Sequence, residues 1–321
     1  MERVLAQPSF TDLALADFGS KRAAEFFARC EALIPFERLA DSVADIFAED
    51  QPKGGAPHLP VVQMLKILFV QKCYGMSDPQ AEEMLLDRIS FRRFVGLSFQ
   101  DKTPDHSTIW TFRQRLERAG HGATLFEETL EILREKGVLM QTGTLIDATI
   151  IEAPLGRKRP DGTSTADPTA SKTAKGNRAY FGYRAHIATD RRGIITDYVY
   201  DTAKVSEHTH FDGLAEKETR AVFADSGCRS KERVAKLRAR GVVAGLCYRR
   251  VKGQKELTPE QRRYNRIVAG IRGFVEHPFA SIKGMLGRRA RYRGLRRNAM
   301  DFCLCAVVCN LRRSMSLSSV A

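Results

Sequence analysis

The sequence predicts an α/β protein, a mixed sheet in the second half preceded by an all-α, helix-turn-helix-like N-terminal region. Three observations predict it. Up to residue 140 the apolar residues recur at helical spacing; from Gly143 to Arg250 five short runs are rich in β-branched and aromatic residues; after Thr258 the helical spacing returns. The 321 residues suit one large domain or two ordinary ones. We divide the chain into a helical region at 1–140 and a sheet-based region at 141–321.

The first helical stretch, residues 21–50, carries Phe26, Phe27, Cys30, Leu33 and Ile34, then Leu39, Val43, Ile46 and Phe47 at helical intervals. A break follows at "EDQPKGGAPHLP". "VVQMLKILFVQKCYG" is an apolar helix ended by Gly75, and Ser77 or Asp78 is placed to cap the helix after it. Short helices joined by a tight turn are the material of a helix-turn-helix. In "TPDHSTIWTFRQRLERAG" Asp105 is a natural N-cap, and Ile109, Phe112, Leu116 and Ala119 share one face. The opposite face offers His106, Thr108, Thr111, Arg113, Arg115 and Arg118, side chains that suit a recognition helix in DNA. An ordinary solvated helix would look the same, in a region where acids outnumber bases 21 to 17.

After Gly137 the period changes. "GTLIDATII", "AYFGYRAHIATD", "GIITDYVYDTA", "AVFADSG" and "VVAGLCYRR" read as five strands. Between the first two lies a stretch at about 153–178, rich in Gly, Pro, Ser, Thr and Lys, which we expect to be a mobile basic loop. "RRG" between the second and third strands predicts an antiparallel hairpin, and "SKERVAKLRARG" a helix returning the chain from the fourth strand to the fifth. Helix is expected again from Thr258 to about Leu286, and a last one from about Asn298 to Arg313.

Charge is distributed unevenly. The formal charge is +14, yet Lys and Arg against acids number 12 to 12 over 141–225 and 23 to 5 over 226–321. A third of the chain that basic points to a polyanion, nucleic acid above all. No apolar run reaches the roughly 18 residues of a membrane span, and the first residues carry acids where a signal peptide would be apolar, so a soluble intracellular protein is expected. Seven cysteines without paired spacing read as reduced thiols, and "CLCAVVC" as core packing rather than a zinc site. His208, His210 and Asp212 in "SEHTHFD" alternate as a metal motif would, but suit a solvent-facing edge without metal.

The acids need explaining. Asp147, in "TLIDATIIEAP", is expected at the end of strand one, and Asp225, in "VFADSG", at the end of strand four. Groups at strand ends of an α/β sheet gather in a crevice. Two carboxylates there repel unless they share a proton or hold a cation, and a hard divalent ion takes carboxylate oxygens. Each Asp alone also suits a turn or a cap. A third acid, Glu276, lies in "IRGFVEHPFASIKGML" with Arg272 and Lys283 close to one helical face, although Pro278 would kink that helix.

"LIDATIIEAP", "YFGYRAHIATD", "AVFADSG" and the spacing RxxxExxxxxxK together resemble the DDE transposases of bacterial insertion sequences, closest to the insertion-sequence-five family, over nearly the whole chain. The resemblance implies an RNase H-like catalytic core with Asp147, Asp225 and Glu276 as catalytic acids and ligands of two Mg²⁺ ions, for which Mn²⁺ substitutes. It makes Arg272 and Lys283 their motif companions. Where the family commonly has Tyr three positions before the Arg, this chain has Ala269, with Tyr264 a candidate replacement; Cys228 stands where an aromatic is usual. It further implies double-stranded DNA as partner, both transposon ends and target, a homodimer on DNA, and a bacterial cytoplasmic, nucleoid-associated location. Arg272 and Lys283 would hold DNA phosphates, and Arg288, Arg289, Arg291, Arg293, Arg296 and Arg297 would extend the phosphate track. Two alternatives stay open: a metal-dependent RNase H-like nuclease or resolvase, and a catalytically inactive DNA-binding descendant.

Overall fold

The computed structural model describes residues 2–7, 9–14, 19–48, 57–140, 143–206, 208–287 and 289–318. The chain forms two compact units, Met1–Ile132 with Cys303–Ala321, and Leu133–Phe302.

The first unit is helical: α1 (Phe10–Ala14), α2 (Lys21–Leu33), α3 (Phe36–Asp41), a 3-10 turn (Ala44–Phe47), α4 (Val61–Cys73), α5 (Asp78–Asp87), α6 (Ile89–Val95), α7 (His106–Arg118) and most of α8 (His121–Glu135). Its boundaries follow local chemistry. Ile34, extended before Pro35, ends α2; Gly75 and Gly96 turn the chain out of α4 and α6 at positive φ. Ser77 and Gln80 form a capping box on α5, and Asp105 caps α7 through the Thr108 N–H. Ile109, Phe112 and Leu116 are buried as their spacing predicts. The stacked Phe27–Phe94 pair and the edge-on Phe36–Phe69 pair join α2, α3, α4 and α6. α4 and α5 are joined by the tight turn at 74–77, as their sequence predicts, and α6 lies between α5 and α7.

The second unit is built on β1 (Thr144–Glu152), β2 (Ser171–Lys175), β3 (Arg178–Thr189), β4 (Ile195–Thr202), β5 (Ala221–Ala224) and β6 (Val243–Leu246). β3 pairs antiparallel with both β1 and β4, while β5 runs parallel to β1 and β6 parallel to β5. The order β4-β3-β1-β5-β6, three antiparallel strands followed by two parallel ones, is that of an RNase H-like sheet. The short helix α9 (Phe211–Leu214) precedes β5, and α10 (Lys231–Ala239) carries the chain from β5 to β6. They cover one face, where Ile146, Ala188, Phe211, Leu214, Val222 and Leu237 share a core. α11 (Pro259–Arg272), α12 (Glu276–Leu286) and the start of α13 (Leu295–Ser318) follow; from Cys303 on, α13 belongs to the first unit, and Cys303, Cys305 and Cys309 lie buried in it.

Two expectations are corrected. Part of the 153–178 stretch is a strand: β2 pairs with Arg178–Gly182 at the outer end of β3. Its sequence, SKTAK, has no apolar alternation of its own; β3, running on beyond its β1 pairing, supplies the template. Gly182, at φ +156 where a Cβ would meet the Ile151 carbonyl, marks the junction. The remainder is anchored by Asp167, which accepts hydrogen bonds from the Tyr183 hydroxyl, the Thr169 N–H and hydroxyl, and the Gly294 N–H. Burial alone would raise the Asp167 pKa, but these donors hold it below the ordinary carboxylate range. Asp167→Ala is therefore expected to cost about 1–3 kcal/mol, chiefly through the buried Tyr183 hydroxyl, as read by urea denaturation. The second correction is that the helix expected from Thr258 to Leu286 is interrupted by a 3-10 turn at Gly273–Val275.

Candidate active site

β1 and β5 pair through Thr144–Val222 and Leu145–Phe223. Two positions further along that register, Asp147 stands level with Asp225. β5 stops at Ala224, and Asp225 keeps extended backbone before the 3-10 turn Ser226–Cys228. Asp147 is thus not at a strand end as expected. It lies inside β1, opposite Ile187 of β3, and it is the neighbouring β5 that ends beside it. A setting for Asp147 inside β1, paired with β3, and a turn after Asp225 open the crevice between adjacent parallel strands.

The last residue of α11 fills that crevice. Arg272 Nη2 lies 3.3 Å from Asp147 Oδ2, and Nη1 lies 3.5 Å from Asp225 Oδ1. The side chains are 18% exposed for Arg272, 26% for Asp147 and 49% for Asp225. Asp147 Oδ1 also accepts the Ala148 N–H at 2.8 Å. Burial raises the Asp147 pKa above its ordinary value; Arg272 and the Ala148 N–H oppose the shift, and the charge of Asp225 adds to it. Asp147 is consequently a carboxylate whose ionised form lacks full compensation, and which gains from more positive charge nearby.

Glu276 is the first residue of α12 and is exposed, separated from Arg272 by the turn at Gly273–Val275. An acid suits that helix end. Pro278 falls in the first turn of α12, where its missing N–H breaks no helical bond, so the anticipated kink does not arise. Lys283, two turns along, is exposed on the same face as Glu276. Asp147, Asp225 and Arg272 are thus brought together, with Glu276 one turn beyond. Among the described residues no three carboxylate, imidazole or thiol groups stand ready grouped around a metal position.

The basic residues divide. Arg289, Arg293, Arg296 and Arg297 are exposed, and the Ala290 N–H ties their segment to the Glu152 carbonyl at the end of β1. Arg291 instead bonds the Met285 and Leu286 carbonyls, capping the end of α12. Arg288 lies outside the described residues. Arg113 does not face outward: it is 4% exposed, paired with Asp78 and bonded to Gln71. Its position on α7 borders the apolar stripe, and α5 supplies the acid. Arg115 lies over the Phe47 ring at 5.1 Å.

Two other groups of side chains have partners of their own. The Tyr264 hydroxyl donates to the Ala244 carbonyl. His210 pairs with Asp201, Asp212 with Arg233, and His208 with Ser206, so the SEHTHFD side chains face separate partners. One residue was missed. Lys175, at the end of β2, acts electrostatically on Asp147, opposing its raised pKa. Its only sequence signal was its place in the basic stretch after β1.

The family comparisons agree with this geometry. Residues 17–115 match the family described as "Transposase domain (DUF772)", and residues 139–311, more than half of the chain, match "Transposase DDE domain". The chain belongs to the DDE transposases. It is a DNA transposase, an enzyme that cuts and moves DNA, in a family that depends generally on divalent metal. No solved structure matches it. The donor set of this transposase fits such an ion: hard carboxylate oxygens on two neighbouring strands, one of them held against a burial penalty that positive charge relieves.

Proposed function

We propose that this transposase binds the terminal inverted repeats of a bacterial insertion sequence of the insertion-sequence-five group, cleaves at them, and joins them to target DNA by two-metal-ion phosphoryl transfer. The observation that carries the reading is the convergence of Asp147 and Asp225, from adjacent parallel strands, on one cation. Asp147, Asp225 and Glu276 would hold two Mg²⁺ ions, or Mn²⁺ in their place. Such ions lower the pKa of the attacking water or 3′-hydroxyl and stabilise the leaving oxygen.

The protein's own contribution is positional. β1 fixes Asp147 through its pairing with β3, and the Ala148 N–H orients one of its oxygens. Asp225 takes its direction from the turn that follows it, and Glu276 would enter from α12. No covalent protein nucleophile is required. Lys283, Arg289, Arg293, Arg296 and Arg297, with Lys175, would hold phosphates of the DNA beside the acids. Residues 1–140 would serve end recognition and assembly, and 141–321 the chemistry. Two DNA ends need two catalytic cores, so the DNA-bound form would be a homodimer. No described helix is long and apolar enough to cross a membrane, and the site of action would be the nucleoid in the bacterial cytoplasm.

A strand-transfer assay with pre-cleaved terminal-repeat DNA, target DNA and Mg²⁺ tests the reading. Joined product is expected. A protein that cuts without joining is a nuclease or resolvase, and one that binds without either is an inactive descendant; both outcomes overturn the proposal. The phosphate track has its own test. Replacing Arg293 and Arg297 by Gln should weaken binding to DNA of any sequence and lower the slope of log affinity against log salt by about 1 for each arginine, as measured by fluorescence anisotropy.

A further inference from the structure

Arg272 is held loosely for a half-buried arginine. Each terminal nitrogen meets a different carboxylate, at 3.3 and 3.5 Å, beyond the roughly 2.7–2.9 Å of a well-made charged hydrogen bond. Its Nε is buried without an acceptor. Structural arginines elsewhere in this protein make closer bonds through their terminal nitrogens, 2.9 Å from Arg92 to the Asp101 carbonyl and 2.9 Å from Arg184 to the Val205 carbonyl, although their Nε atoms also lack an acceptor. Arg272 instead straddles two acids whose combined charge is twice its own, and satisfies neither.

We propose that Arg272 is the resident counter-cation of the Asp147–Asp225 pair, and that a divalent ion entering the site displaces it. The proposal rests on the reading of Asp147 and Asp225 as metal ligands. A divalent ion carries the charge that the single guanidinium lacks, and it takes the same oxygens that Arg272 now contacts. The two cations cannot share the place, because like charges at such separations repel strongly in a site partly shielded from water. Arg272 ends α11 and precedes the turn at Gly273–Val275, so its side chain reorients without breaking a helical bond. Once displaced, the guanidinium is released toward a DNA phosphate. Metal entry and phosphate contact by Arg272 are therefore two halves of one exchange. Before the exchange the arginine keeps two close carboxylates from destabilising the crevice.

Mn²⁺ binding to the full chain without DNA, followed by electron paramagnetic resonance of the free ion, tests this in the wild type, R272Q, R272K and D147N. R272Q should bind Mn²⁺ on the order of 10-fold more tightly than the wild type, and R272K, which keeps a cation, should stay close to the wild type. D147N should lose the binding. R272Q binding no more tightly than the wild type, while D147N loses binding, overturns the counter-cation role and leaves the ligand reading standing. D147N binding as well as the wild type overturns both. The melting temperature supplies a second measure. Without metal R272Q should melt lower than the wild type, and Mn²⁺ should raise its melting temperature by more. An R272Q that is destabilised but not rescued by Mn²⁺ has lost a strut rather than a counter-cation, which also overturns the proposal.

Discussion

Asp147→Asn is expected to lower DNA cleavage and strand transfer by on the order of 10³-fold or more, equivalent to about 4 kcal/mol of transition-state stabilisation, while terminal-repeat binding persists. The substitution preserves shape and removes the charge that a divalent ion requires. Its effect on the fold should be small and of favourable sign, since burial already disfavours the ionised carboxyl at this position. Arg272 retains Asp225 as a partner. Loss of activity in a protein that melts like the wild type, and shifts DNA in a gel like the wild type, would assign the defect to chemistry. Gel shift, denaturation and cleavage measured on the same preparation check all three parts.

The second large effect concerns stability. Arg113→Ala is expected to destabilise the helical unit by about 3–5 kcal/mol, because it strands Asp78, whose side chain is only 12% exposed. Burial would raise the Asp78 pKa, but the hydrogen bond and charge of Arg113, together with the Gln71 amide, hold it below the ordinary carboxylate value. For an acid with a depressed folded-state pKa, the stabilisation is present above its unfolded pKa and is lost as pH falls through the depressed value. The difference between wild type and R113A in urea denaturation should therefore shrink toward strongly acidic pH. Arg115→Ala, two positions away, removes a contact with the Phe47 ring of the kind that contributes about 0.5–1 kcal/mol, and should cost less than Arg113→Ala. Equal effects from the two substitutions would contradict the pairing.

These two arginines show where sequence reading stopped. The apolar face of α7 was legible from Ile109, Phe112 and Leu116, but a residue bordering that face joins the core or the solvent according to what lies opposite. Asp78, on another helix, is invisible to periodicity. The sheet was legible for a physical reason: β1, β3, β4, β5 and β6 carry their own β-branched and aromatic residues. β2 was not, since its pairing comes from β3 rather than from SKTAK.

The site was readable in part. The apolar flanks of Asp147 and Asp225 announced strands, and the parallel register of β1 with β5 brings the two acids level. What could not be read was that Asp147 lies mid-strand while β5 stops beside it. The Arg272–Glu276–Lys283 spacing suggested a single helical face, whereas the turn at Gly273–Val275 divides it. It leaves Arg272 in the crevice and Glu276 at the head of a new helix. Arg291 illustrates the limit of a charge run: six arginines look alike in sequence, yet this one closes the end of α12.

Anomalous scattering from Mn²⁺ in crystals of the full chain bound to terminal-repeat DNA tests the central claim most directly. The account predicts manganese peaks within coordination distance, about 2.1 Å, of Asp147 and Asp225 carboxylate oxygens, with Glu276 drawn in as a further ligand and the Arg272 guanidinium moved onto a phosphate. Manganese bound away from Asp147 and Asp225, with Arg272 still bridging them, would contradict it.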